Sequence, residues 1–197
     1  NRVVEYSLTT YQASATIGLG LGSFPGQLNN PEGIAFGPDP VQGTGQYLYV
    51  AEGGNHRFSE YKPDGTFVRV INPVGGSLNN PWQIRFHNGL IWEQDSDTNH
   101  LQVFDIQGNL LTSYLSGGNG AGQISDSGIG GFDFDPEGGF YIGDYNNGRV
   151  VRYVPCGSVL LTPTVTPTPL TPQQACLFYQ TQWGATGSGN GQFNNPL

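Results

Sequence analysis

The stretch spanning residues 48–65, LYVAEGGNHRFSEYKPDG, recurs along the chain, and a repeat constrains a fold more tightly than composition does. Leu48, Tyr49, Glu52, Asn55, Arg57, Tyr61 and Gly65 align without a gap with Ile91, Trp92, Asp95, Thr98, His100, Phe104 and Gly108. They align again with Phe140, Tyr141, Asp144, Asn147, Arg149, Tyr153 and Gly157. Each copy alternates apolar and polar residues toward a turn, then runs extended to a second turn. In the first copy that second turn is Pro63-Asp64-Gly65, where proline presets φ and glycine accepts a positive one.

Around this stretch the rest of the unit falls into register. A lead-in, Gly26-Gln27-Leu28, recurs as Gly122-Gln123-Ile124 and Gly191-Gln192-Phe193. Asn29-Asn30-Pro31 recurs as Asn79-Asn80-Pro81 and Asn194-Asn195-Pro196. A short apolar strand follows, ending in Phe36, Phe86 or Phe134. Each unit therefore holds four extended runs in about 43–55 residues, with no helical periodicity. Four-stranded units of this length predict an all-β chain of β-propeller blades. The expected division is a partial blade at 1–21, blades at 22–74, 75–119 and 120–188, and a further blade start at 189–197. The first residues match the second half of a unit, so the chain is expected to be a window on a longer array or a subunit completed by partners.

GQLNNPEGIAF and YLYVAEGGNHRFSEYKPDG resemble the NHL-repeat family, over nearly the whole chain apart from residues 158–175. The middle unit departs from the pattern at Gln83, Arg85, Glu93 and Thr98. The resemblance implies one propeller blade per unit, with the GIAF-type strand lining a central channel. Some propellers similar to this one are lyases or esterases with bound calcium or zinc, whose sites gather inward carboxylates, asparagines or histidines at one channel mouth. Glu32, Arg85, Glu93 and Asp133 are placed to approach a channel, yet they form no recognisable acid–base set. Glu52, Asp95 and Asp144 read as structural, each accepting backbone N–H bonds in the tight turn before the third strand. The three histidines, His56, His87 and His100, share no face, so no metal site and no cofactor is expected.

Composition narrows the function classes. Seven Lys and Arg against a net charge of −8 disfavour polyanion binding, so no nucleic-acid partner is expected. No run of about 18 apolar residues offers a membrane span. Charged residues make up only 11%, which leaves solubility to Asn, Gln, Ser, Thr and Gly.

Residues 154–183 interrupt the third full unit between its last two strands. TPTVTPTPLTP within it favours extended polyproline-type chain. It is expected either to carry O-linked sugar at Thr162, Thr164, Thr166, Thr168 and Thr171, or to be a bare stiff linker. Cys156 and Cys176 bracket the insertion (157–175), and a disulfide is expected to close it, with free buried thiols as the alternative. Cysteines, Thr-Pro tract and scarce lysine point to a secreted or cell-surface protein.

These readings converge on a non-enzymatic extracellular module that associates with copies of itself or with other extracellular proteins, as in a surface layer or filament. The alternative is a metal-dependent lyase- or hydrolase-type propeller whose site is only partly contained in this segment.

Overall fold

The computed structural model describes residues 1–41, 43, 45–98, 100–115, 117–125, 129–155, 177–185 and 190–193. The strands run β1 (Val3–Tyr6), β2 (Ala13–Ile17), β3 (Pro31–Pro38), β4 (Gln46–Glu52), β5 (Arg57–Tyr61), β6 (Phe67–Ile71) and β7 (Pro81–His87). They continue as β8 (Leu90–Asp95), β9 (His100–Phe104), β10 (Leu110–Tyr114), β11 (Ile129–Phe134), β12 (Phe140–Asp144), β13 (Arg149–Pro155) and β14 (Leu177–Trp183). β1 and β2 form a two-stranded sheet, and three four-stranded sheets follow in sequence order: β3 to β6, β7 to β10 and β11 to β14. The registered pairs within them are antiparallel. Among the described residues there is no helix.

The chain divides into two compact units, Asn1–Asp95 with Val103–Leu110, and Ser96–Gln102 with Leu111–Leu197. In the first unit the period-2 alternation of β4 sorts its side chains into two cores. Leu48 and Val50 pack with Ile17, Leu28 and Tyr61, against Val3 and Phe67. Tyr49 and Ala51 pack on the opposite face with Phe58, Ile71, Leu78, Ile84, Ile91 and Phe104. A strand buried on both faces reads as the near-continuous apolar run LYVA. β3 and β7 approach so closely that a Cβ on Gly33 would lie 2.9 Å from the backbone nitrogen of Ile84. No flexible side chain could absorb that clash, so glycine is required there. In the second unit Phe140 stacks on Tyr153 at 4.9 Å between ring centres, and Phe132, Ile142 and Val151 are buried.

The expected turn at Pro63-Asp64-Gly65 closes the β5–β6 hairpin, with Gly65 at φ 85° and Lys62 N–H donating to Thr66 O. Between β13 and β14 the chain leaves and returns, with Pro155 and Leu177 still paired in register. Cys156, Cys176 and Thr162, Thr164, Thr166, Thr168 and Thr171 lie outside the described residues.

Candidate functional site

The repeated carboxylate holds the lead-in segment against its own sheet. Glu52 is fully buried, and its Oε2 accepts the N–H of Asn29 at 2.9 Å and the Asn55 amide at 2.6 Å. Its Oε1 accepts Arg57 Nε at 2.8 Å and the Ser59 hydroxyl at 2.5 Å. Arg57 then reaches the carbonyls of Ser23 and Gln27, and the Tyr61 hydroxyl donates to Gly26 O. Burial pushes the Tyr61 phenol up to about 12, so it stays a donor.

The third unit repeats the arrangement. Asp144 accepts Ser125 N–H, the Asn147 amide and Arg149 Nε, while Arg149 reaches the carbonyls of Asn119, Gly120 and Gln123. In the middle unit Asp95 accepts the N–H groups of Asn79 and Asn80. These carboxylates are structural, as expected. Their backbone donors, however, come from the lead-in ahead of the first strand rather than from the turn before the third.

The lead-in and the β4–β5 turn are zipped together at that end of the sheet. Gly53 N–H donates to Asn30 O and Gly54 N–H to Asn29 O, while Asn30 N–H donates to the Asn1 side chain. Asn30 sits at φ 52°, a left-handed conformation in which a non-glycine residue carries strain. Its amide donates to Glu32 Oε1. A Cβ on Gly53 would meet Asn30 Nδ2 at 3.1 Å, Asn80 Oδ1 at 3.1 Å and Glu32 Oε1 at 3.2 Å. Two amides and a carboxylate, drawn from the starts of two neighbouring inner strands, therefore converge over one bare glycine.

Register explains how these groups are aimed. Pro31 pairs with Glu52 and Ile34 with Val50, so Glu32 and Gly33 together oppose Ala51. Pro81 pairs with Asp95 and Gln83 with Gln94, which leaves Trp82 as the extra residue. β11 slips at the same repeat position, between Ile129 and Phe132. Bulges redirect side chains, and they recur beside functional sites. Here they present a half-buried carboxylate at Glu32 and, from the next strand, an indole at Trp82 that is 52% exposed.

His56 closes the same turn. Its Nδ1 lies 2.6 Å from Leu78 O, and a carbonyl only accepts, so Nδ1 carries the proton. In the neutral form of this exposed ring the lone pair is then on Nε2. His56 has φ 53°, where the matching residue of the third unit is Gly148 at φ 60°. A histidine thus stands in a backbone conformation that its sibling repeat assigns to glycine.

The other residues singled out from sequence do not join this cluster as a set. Glu93 is fully buried opposite Ile84, and Arg85 pairs with Trp92 and donates to Ile84 O. Asp133 is exposed and accepts Phe134 N–H. His87 ends β7, with its ring edge-on to Trp92. Glu60, which sequence reasoning did not single out, is fully buried and bonded to Arg69 at 2.6 Å, and Arg69 donates onward to Ile106 O. Burial raises the Glu60 carboxyl above its ordinary value despite that guanidinium. Among the described residues no three His, Cys, Asp or Glu side chains gather as a metal site requires.

No protein-family model matches the chain, and no curated protein matches it. Solved structures do. A streptogramin B lyase is 16% identical with a TM-score of 0.52, covering 77% of this chain and 44% of its own. A catalytically inactive His-to-Ala variant of virginiamycin B lyase from Staphylococcus aureus, with quinupristin, is 17% identical with a TM-score of 0.54, covering 86% and 50%. The fold is a β-propeller. A glutaminyl cyclase from Myxococcus xanthus is 17% identical with a TM-score of 0.50, covering 77% and 56%. The propeller chain thus spans about half the length of these structures, and identity at this level speaks for fold alone. The expectation of a non-enzymatic protein is corrected here, because the solved propellers that it resembles are a lyase and a cyclase. The physical reason is that chemistry resides in a site grafted on a fold, so the absence of a recognisable acid–base pair in the sequence was no ground for expecting a protein without one.

Proposed function

We propose that this propeller, built of NHL-type blades, is a lyase- or hydrolase-type enzyme whose chemistry runs at the bulged rim, with further blades completing the mouth. The convergence of Asn30, Glu32 and Asn80 over Gly53 carries this reading. Bond-cleaving elimination, hydrolysis and ring closure all turn on proton transfer between positioned groups. Glu32 is the acid–base carboxylate of the cluster, and the Asn30 amide that donates to it orients it. His56 presents Nε2 as the second proton-transfer group, its tautomer held by Leu78 O. The inactive His-to-Ala variant of the Staphylococcus aureus lyase supports a histidine requirement on this fold. The rim cluster supplies a single carboxylate, too few hard donors for a resident divalent cation, so no step is routed through a metal.

The test is product formation, followed by mass, with quinupristin, with a peptide bearing N-terminal glutamine and with neutral oligosaccharides. Turnover of at least one is expected, falling at least about 100-fold in E32Q and in H56Q. Turnover of none, or turnover that survives both changes, overturns the reading.

A second reading, association outside the cell with copies of the chain or other extracellular proteins, rests on a separate surface and is compatible with catalysis. Ile34 is 47% and Phe36 56% exposed, whereas the repeat-matched Ile84 is fully buried. Among the described residues β1 pairs with β2 alone, and its other edge is where strand addition would take place. Light scattering that returns the mass of one chain overturns association.

A further inference from the structure

We infer that the edge of β1 turned away from β2 binds an extended peptide strand, supplied in trans, that sets an apolar residue against Tyr6 and a carboxylate against Arg2. The inference rests on the association reading for its location and adds the chemistry of the partner. Three observations carry it. The first is register. Val3 pairs with Ile17 and Tyr6 with Ala13, with a slip between Glu5 and Tyr6. Phe58 pairs with Ile71 and Tyr61 with Phe67, with the slip between Glu60 and Tyr61, and β13 slips against β14 between Arg152 and Tyr153. The β1–β2 pair thus reproduces, slip included, the outer half of the four-stranded sheets. Its remaining edge is the one that β5 gives to β4 and β13 gives to β12.

The second is a pair of stranded side chains. Arg57 and Arg149 are buried against carboxylates, and Tyr61 and Tyr153 are buried with their hydroxyls donating to Gly26 O and Gly122 O. Arg2 and Tyr6 occupy the same places in the repeat, yet both are exposed and neither has a partner among the described residues. The third is what answers those positions elsewhere. Leu48, Val50 and Glu52 pair with Tyr61, Ser59 and Arg57, and Phe140, Ile142 and Asp144 pair with Tyr153, Val151 and Arg149. An antiparallel strand reading apolar-x-apolar-x-acid therefore fits Tyr6, Val4 and Arg2 in turn. Main-chain bonds to the edge supply affinity, and the guanidinium fixes register by pairing with the acid. A strand with lysine or a neutral residue at the last position leaves that cation unanswered.

A fluorescein-labelled peptide of residues 46–54, QYLYVAEGG, is titrated with the full chain by anisotropy, at a dilution where light scattering returns single chains. Saturable binding is expected, at least about fivefold weaker for R2E and for a peptide carrying Glu52→Lys. Combining the two changes should restore binding to within about threefold of the parent pair, since the charges are then exchanged rather than opposed. Circular dichroism establishes that R2E is folded. No saturable binding, binding undiminished by either single change, or no rescue in the exchanged pair overturns the inference.

Light scattering of the concentrated chain separates this inference from the reading beneath it. Single chains at every concentration, with the peptide bound, sink association between copies and spare the strand site. Association that survives R2E in a chain that binds no peptide does the reverse.

Discussion

Replacing Arg57 by alanine removes one ion pair and two long-range bonds in a single step. Its Nε is 2.8 Å from a carboxylate that is fully buried, and its other nitrogens hold Ser23 O at 2.8 Å and Gln27 O at 3.0 Å. Breaking a buried pair by deleting one partner costs about 3–5 kcal/mol, because the survivor remains charged and buried. Glu52 keeps three donors, Asn29 N–H, the Asn55 amide and the Ser59 hydroxyl, which places R57A near the lower end, at about 3 kcal/mol. With a urea m-value of about 2 kcal/mol/M, the unfolding midpoint should fall by roughly 1.5 M. The double variant E52Q/R57A carries no stranded charge and should be more stable than R57A alone. Urea titration followed by tryptophan fluorescence reads all three proteins. A midpoint shift below about 0.3 M in R57A, or a double variant weaker than R57A, would show that this network does not hold the lead-in.

His56→Gly relieves a left-handed conformation costing about 1–2 kcal/mol, but gives up the bond to Leu78 O and adds chain entropy, so stability should change by less than about 1 kcal/mol. Turnover should nevertheless collapse, and an active H56G removes the imidazole from the mechanism. For Glu60 the folded carboxyl titrates above its ordinary value of 4.5, so its contribution is full below that pH and declines as pH rises through the raised value. E60Q has no such proton, so its stability relative to wild type should improve from pH 4 to pH 7 in thermal melts, and a gap independent of pH would contradict this. The pairing of Pro155 with Leu177 brings the chain back beside the point where it left. We therefore expect Cys156 and Cys176 to be bonded, worth roughly 3 kcal/mol on the chain-entropy model, and the Thr-Pro tract between them to carry sugar. Intact mass without reductant checks both, and two alkylatable thiols or a bare polypeptide mass would refute the respective claim.

Strand order was legible because each unit states it again, and three copies of the Leu48-type strand leave little freedom in register. The lead-in bonds were not, since the acceptor at Glu52 and the donor at Asn29 are 23 residues apart and nothing local relates them. The bulges were equally hidden: inserting one residue in a strand leaves the apolar alternation on either side intact. Glu32 was marked from its place in the unit, whereas Trp82 was not singled out. A signal for His56 did exist. NHR and NGR occupy the same place in two units, and a glycine in one copy announces the backbone that its counterpart must adopt.

The middle unit has a shorter lead-in, six residues between Ile71 and Leu78 against ten between Ile17 and Leu28, and His100 stands where its siblings place arginine. Fewer carbonyls need holding there, and no guanidinium is present at that position to hold them. Seen as a ladder of local openings, segment 72–80 becomes the rung that exchanges its amide protons earliest, ahead of residues 18–30. A propeller fastened unevenly in this way breathes at a chosen seam, and Asn80, one of the rim amides, rides on it.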